Sequence, residues 1–193
     1  MRNDAAETLQ SVLLGREQLL WIGGPDPGAL FSPHERLLLP VSLAWAAFTV
    51  YWEAAALGYT GRAPAPAIVA LLGLLLVPLA AYVAAGRFAY KAWKRRRTVY
   101  AVTSLRVLVV EDGFRRRTTS AFFGKLGEPR RVPGAGGRES LLFGAPSFAA
   151  AAMMNSGLDL LPGAAGPGVV AFFDFDGAGP VEALVDARRK EVK

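Results

Sequence analysis

The chain contains no cysteine and a single histidine among its 193 residues. Without cysteine there is no disulfide, no thiolate metal site and no cysteine nucleophile. His34 stands beside Pro33 at the edge of an apolar run, a setting that supports neither a histidine-rich metal centre nor a nucleophile–histidine–carboxylate triad. A phosphate-cradling loop is also missing. The Gly134 to Gly137 cluster lacks the Lys-Ser/Thr ending and the following helix that such loops need, so it reads as a hairpin loop. No cofactor or metal site is expected from these residues. Negative charge is in deficit too: 16 acidic residues face 22 basic ones, a net charge of +6. Most of the basic residues near the middle of the chain lie beside an apolar run, which favours anionic lipid over nucleic acid as their partner.

Charge itself is absent from Ala67 to Ala85, where almost every residue other than alanine is Leu, Ile or Val. At about −0.3 to −0.6 kcal/mol for each such residue, insertion of this stretch into hydrocarbon is favoured by roughly −3 to −6 kcal/mol before Gly73 and Pro78 are counted. Between Leu37 and Leu57 the only charged residue is Glu53. Both stretches reach the 20 or so helical residues that cross a bilayer. A chain this short has no large core in which to bury two helices that are apolar all round. Two transmembrane helices are therefore expected at 36–58 and 67–86, joined by a short external loop at 59–66 that forces an antiparallel hairpin. Pro78 is expected to kink the second. The opening residues, with an amphipathic Val12 to Leu20, lack the pattern of a secretory signal, so the first helix is expected to stay as an anchor.

Residues 87–97 form a basic juxtamembrane segment carrying Arg87, Lys91, Lys94, Arg95, Arg96 and Arg97, whereas the loop carries only Arg62. The positive-inside rule puts both termini, including an N-terminal segment at 1–35, in the cytoplasm of a multi-pass cell-membrane protein. Tyr51, Trp52 and Tyr59 on one side and Phe88, Tyr90 and Trp93 on the other suit the two interfaces.

After Arg97 the hydrophobic period changes. TVYAVT at Thr98 to Thr103 and RVLVVE at Arg106 to Glu111 read as two paired strands, and Asp112-Gly113 as a turn into a third at Phe114 to Ser120. Short apolar runs at Ala121 to Leu126, Ser140 to Phe143 and Val169 to Phe175 continue the pattern. The Ala-, Gly- and Pro-rich stretch at 145–168 reads as a long mobile connection. A short amphipathic helix at 180–190, with Pro180 at its start and Arg188, Arg189 and Lys190 at its end, closes the β-domain at 98–190.

Three segments resemble bacterial membrane proteins that carry a pleckstrin-homology-like domain. They are LLGREQLLWIGGPDP from Leu13 to Pro27, RTVYAVTSLRVLVVEDG from Arg97 to Gly113, and Leu141 to Gly144 together with FFDFDGAGPVEALVDARRK from Phe172 to Lys190. Arg16, between Gly15 and Glu17, departs from the family's Gly-Glu pair. The resemblance implies a strongly bent antiparallel sheet, roughly a barrel, closed by the C-terminal helix. It implies no phosphoinositide site and transfers no ligand-binding residue.

Lys94, Arg95, Arg96 and Arg97 are the first binding candidates: near an anionic leaflet each cation contributes about 1 kcal/mol. The same residues also serve as a stop-transfer signal. Arg115, Arg116 and Arg117 form a second basic run, on a strand whose alternation separates Arg116 from the other two, as a solvated edge that deters aggregation. Asp174 and Asp176, two apart, are expected on one strand face, where capping of the next helix is the plainer role and acid–base work the other. Glu53 is either an interfacial carboxylate or a functional intramembrane group. The expected function is a non-catalytic membrane protein presenting its β-domain to a protein or a lipid headgroup. The alternative is a subunit of a membrane enzyme or transporter using Glu53 or the Asp174/Asp176 pair.

Overall fold

The computed structural model describes residues 9, 11–33, 35–113, 116–146, 155–158 and 169–192. His34, Arg115 and most of the 145–168 connection lie outside them. Helix α1 (Glu35–Ala56) and helix α2 (Ala67–Arg95) are both long and apolar enough to cross a membrane. They run antiparallel, since Glu35 near the start of α1 meets Arg87 near the end of α2, while Glu53 lies against Gly73. Buried positions of α1 fall at Glu35, Ser42, Thr49 and Ala56, each seven residues apart, and those of α2 at Gly73, Ala80 and Arg87 repeat the interval. A seven-residue spacing keeps one seam facing the partner along a gently coiled pair. Small residues fill most of that seam and let the backbones approach closely. The Ser42 and Thr49 hydroxyls donate back to the Leu39 and Trp45 carbonyls at 2.8 Å each, so neither needs water.

Away from the seam, Leu37, Val41, Phe48, Leu71, Leu74 and Leu75 are exposed. Only 11% of the most apolar window in each helix is buried, whereas a soluble core helix of that composition would be mostly covered. Helix α2 passes through Pro78 without a break. Its departure from α geometry is a π turn at Tyr82–Gly86, after which α geometry resumes through Arg95. The basic segment is thus, as far as Arg95, a continuation of the second helix.

Strands β1 (Leu19–Gly23), β2 (Thr98–Thr103), β3 (Arg106–Asp112) and β4 (Arg116–Phe122) form an antiparallel sheet in that order. Strands β5 (Pro129–Pro133), β6 (Glu139–Phe143) and β7 (Val170–Phe175) form a second. Helix α3 (Ala178–Val192) follows, with Pro180 inside its first turn. The expected barrel is corrected: the strands make two separate sheets rather than one closed surface. Proline at each end of β5 and the 3₁₀ turn Phe123–Lys125 after β4 interrupt the ladder between them.

Tyr100, Val102, Val107 and Val109 from the first sheet pack against Leu141, Phe143, Val170, Phe172 and Phe175 from the second, and Ala178, Val181 and Val185 of α3 close the same core. On the other face of the first sheet, Ala101, Leu108 and Val110 are covered by Leu9, Val12 and Leu13. Burial on both faces accounts for the near-continuous apolar runs of β2 and β3. The N-terminal segment is part of this sheet. Its β1 pairs with β2, and Trp21 stacks on Phe172 at 5.8 Å.

Candidate functional site

Arg87, Lys91 and Arg95 are spaced four apart, so they share one face of α2, and all three are buried. This stripe lies where the helical hairpin meets the β-domain. Arg87 pairs with Glu35 of α1 at 2.7 Å. Lys91 reaches the other Glu35 oxygen at 3.9 Å and donates to the Leu30 carbonyl at 2.6 Å and the Ser32 hydroxyl at 3.0 Å. Arg95 pairs with Asp174 and also donates to the Asp26 carbonyl at 2.9 Å and to Asn155 Oδ1 at 2.7 Å.

Asp174 is the hub on the β-domain side. Its carboxylate is fully buried and accepts from Arg95, from Asn155 Nδ2 at 2.6 Å and from the Ala135 amide at 2.5 Å. The Asp174 carbonyl accepts from the Asp26 amide at 2.9 Å. One residue thus ties together α2, the turn between β5 and β6, the segment after β1 and the described part of the long connection. Asn155–Leu158 is not free chain: Tyr82 donates to the Gly157 carbonyl at 2.5 Å. A Cβ at Gly157 would strike the Arg87 backbone, so glycine is what allows the turn to sit so close to the helix.

The expected pair of carboxylates does not form. Asp174 adopts φ +48, which breaks the alternation of the strand, and Asp176 is 86% exposed beside Arg138. Nor does Asp174 cap α3, since its oxygens are engaged elsewhere. Of the first basic run, Arg95 points inward. Arg96 and Arg97 are exposed, with Arg97 lying over the Trp93 ring at 4.9 Å, and Lys94 pairs with Glu111 at 2.9 Å. In the second run Arg116 and Arg117 lie on the exposed edge strand β4, opposite Asp112 and Glu111 of β3. Arg115 lies outside the described residues. Glu53 turns into the seam, where a Cβ on Gly73 would overlap its carboxylate, and its Oε2 is buried without a hydrogen-bond donor among the described residues. Among the described residues no three Asp, Glu or His side chains gather as a metal site.

A second ion pair joins segments far apart in the chain. Glu17, before β1, accepts from Arg106 Nε and Nη2, both at 2.9 Å, from the Thr103 hydroxyl at 2.6 Å and from the Leu14 amide at 2.9 Å. Burial pushes the Glu17 carboxyl upward, but Arg106 and the other donors outweigh it and hold the group below its ordinary value.

No family model, curated protein or solved structure shows significant similarity to the chain. The site therefore has to be interpreted from its own geometry.

Two features of it went unread in the sequence. The four-residue spacing of Arg87, Lys91 and Arg95 separates them from Lys94, Arg96 and Arg97, although all six look like one basic run. Glu35, at the threshold of the first apolar stretch, is the acidic partner that such an inward stripe requires. Asp174 carried no equivalent signal, because its partners come from four distant segments.

Proposed function

We propose that this chain is a non-catalytic, two-span membrane protein whose β-domain, of the pleckstrin-homology-like type that its sequence resembles, is held against the cytoplasmic face of the cell membrane as an interaction module. The observation that carries the reading is the apolar hairpin that lies almost bare outside its seam, with the seam's hydroxyls satisfied within their own helix. β1 precedes the hairpin and pairs with β2, which follows it, so both ends of the hairpin return to one side. The surplus of basic residues beside the β-domain supports the cytoplasm as that side. Arg96 and Arg97 then face the leaflet, and the partner of the β-domain is a protein or a lipid headgroup rather than nucleic acid.

Because the chain has no native cysteine, single cysteines report sidedness directly. Arg62→Cys is expected to react with an impermeant maleimide added to intact cells, and Glu191→Cys only after lysis. Washing at high pH should leave both in the membrane pellet. Extraction into the supernatant, or equal labelling at both positions in intact cells, would overturn the reading.

A second reading, a subunit of a membrane enzyme or transporter, is favoured by one observation, the buried Glu53 oxygen that lacks a donor among the described residues. Loss of a cellular phenotype in Glu53→Gln, with folding preserved, would support it over the first.

A further inference from the structure

A pocket of about 410 Å³ lies between the start of α1 and the glycine turn that links β5 and β6. Phe31 and Leu39 supply apolar walls, while Ser32, Glu35 and Arg36 supply polar ones. Three properties of its surroundings ask for the same kind of occupant.

The first is an unmet donor. Ser32 is 3% exposed, and its hydroxyl oxygen accepts from Lys91 Nζ at 3.0 Å and Asn155 Nδ2 at 3.2 Å. With the oxygen engaged twice, the hydroxyl's own proton is left to donate, and no described residue accepts it. A buried donor without an acceptor is costly, and the pocket that Ser32 lines is where an acceptor fits.

The second is charge. Behind the pocket, Arg87, Lys91 and Arg95 place three buried positive charges against the two negative charges of Glu35 and Asp174. Among the described buried groups one positive charge stays uncompensated, in a setting that screens it poorly. Glu35 also lines the pocket, within ion-pair range of Arg87 at 2.7 Å and Lys91 at 3.9 Å, though neither of its oxygens takes a hydrogen bond from a described residue, so the phosphate belongs on the Ser32 and Arg36 side. Arg36 adds a further cation at the rim, exposed and without an ion pair among the described residues.

Location is the third. Phe31 is 64% exposed, and the apolar surface of α1 begins next to it at Leu37 and Val41. An occupant at this level carries acceptor oxygens and negative charge at one end and hydrocarbon at the other.

We propose that the pocket binds the phosphate of one anionic membrane phospholipid, with the Ser32 hydroxyl and the Arg36 guanidinium donating to its oxygens and the acyl chains leaving along Phe31 and Leu39. This inference rests on the reading of the hairpin as membrane-spanning. Arginine at the rim offers a fork of donors matched to a phosphodiester. An ammonium on the headgroup would meet Arg36 and the surplus positive charge, so a lipid lacking one is preferred.

The test uses the full chain in detergent, with phosphatidylglycerol added and native mass spectrometry reading the number of lipids bound. One tightly held lipid per chain is expected, displaced by neither diacylglycerol, which lacks phosphate, nor millimolar inorganic phosphate, which lacks the chains. Arg36→Gln, at an exposed position, should weaken binding roughly tenfold or more, the scale of one lost charge-assisted hydrogen bond. Arg62→Gln, at the other end of the hairpin, should leave it unchanged. Equal effects of the two variants, displacement by inorganic phosphate or equal retention of diacylglycerol would each overturn the proposal. Failure of the underlying reading looks different: the chain would then stay monodisperse in detergent-free buffer. A detergent-dependent chain that holds no phosphatidylglycerol overturns the lipid site alone.

Discussion

Glu17 shows how much a single side chain carries at the residue scale. Its carboxylate is the only acidic partner of Arg106 among the described ion pairs, and both groups are almost wholly removed from water. Glu17→Ala leaves that guanidinium buried and unpaired, so a loss of about 3–5 kcal/mol is expected, read as a lower denaturant midpoint in detergent. Because folding lowers the Glu17 pKa, its stabilisation is complete above the unfolded glutamate value of about 4.3 and disappears as pH falls through the lower folded value. Glu17→Gln should therefore flatten the acid limb of the stability profile while lowering stability at neutral pH. Tyr100 works at the opposite end of the scale. Burial drives its phenol well above the ordinary tyrosine range, while the phenol oxygen accepts from the Phe173 amide at 3.0 Å. Its contribution is present below the unfolded value of about 10 and is lost as pH rises through the folded one. Tyr100→Phe should keep the 4.7 Å stack on Phe172 yet lose about 1–2 kcal/mol, and the variant should be less sensitive to alkali.

At the scale of elements, the helices and most strands were legible because their signals are local. Ala67 to Ala85 is apolar without interruption, and TVYAVT and RVLVVE carry β-branched and aromatic residues either side of a short turn. The missed strands are β1 and β5. PRRVP has two prolines and two arginines in five residues and becomes a strand only because β6 lies beside it, while LLWIG looks like part of an amphipathic helix until β2 is there to receive it. Pairing across such distances is a tertiary fact that no local window contains. The candidate site was legible in part: its cations were visible as a basic run, but their orientation depends on helical phase, and Asp174 depends on four segments converging. The seam between α1 and α2 yields a prediction at this scale. Gly73→Leu should separate the helices and lower the melting temperature. Gly73→Ala should be harmful beside Glu53 but nearly neutral in a Glu53→Ala background, because the overlap is with that carboxylate alone. Thermal unfolding of the four variants in one detergent measures the coupling.

For the whole molecule, the buried charges make the hairpin and the β-domain one mechanical body. Arg95 on α2 and Asp174 on β7 are 5% and 0% exposed, and the residues around them come from every part of the junction. Arg95→Ala should cost about 3–5 kcal/mol by stranding Asp174. Hydrogen exchange should then quicken at Asn155–Leu158 and at the turn Ala135–Gly137 rather than within β2 and β3, because the first two hang on the Asp174 carboxylate and the strands do not. Uniform quickening throughout the β-domain would show that the junction supports the core rather than only its attachment.

The pairing of Leu19–Gly23 with Thr98–Thr103 also sets a timetable. During synthesis the first strand leaves the ribosome before either helix, and its neighbour appears only after both have been made. Trp21 has no Phe172 to stack on until later still, so the earliest part of the β-domain must wait, unfinished, while both helices are made. A chain halted between the two helices would keep that strand edge open, which gives quality-control proteases a direct mark of incomplete synthesis.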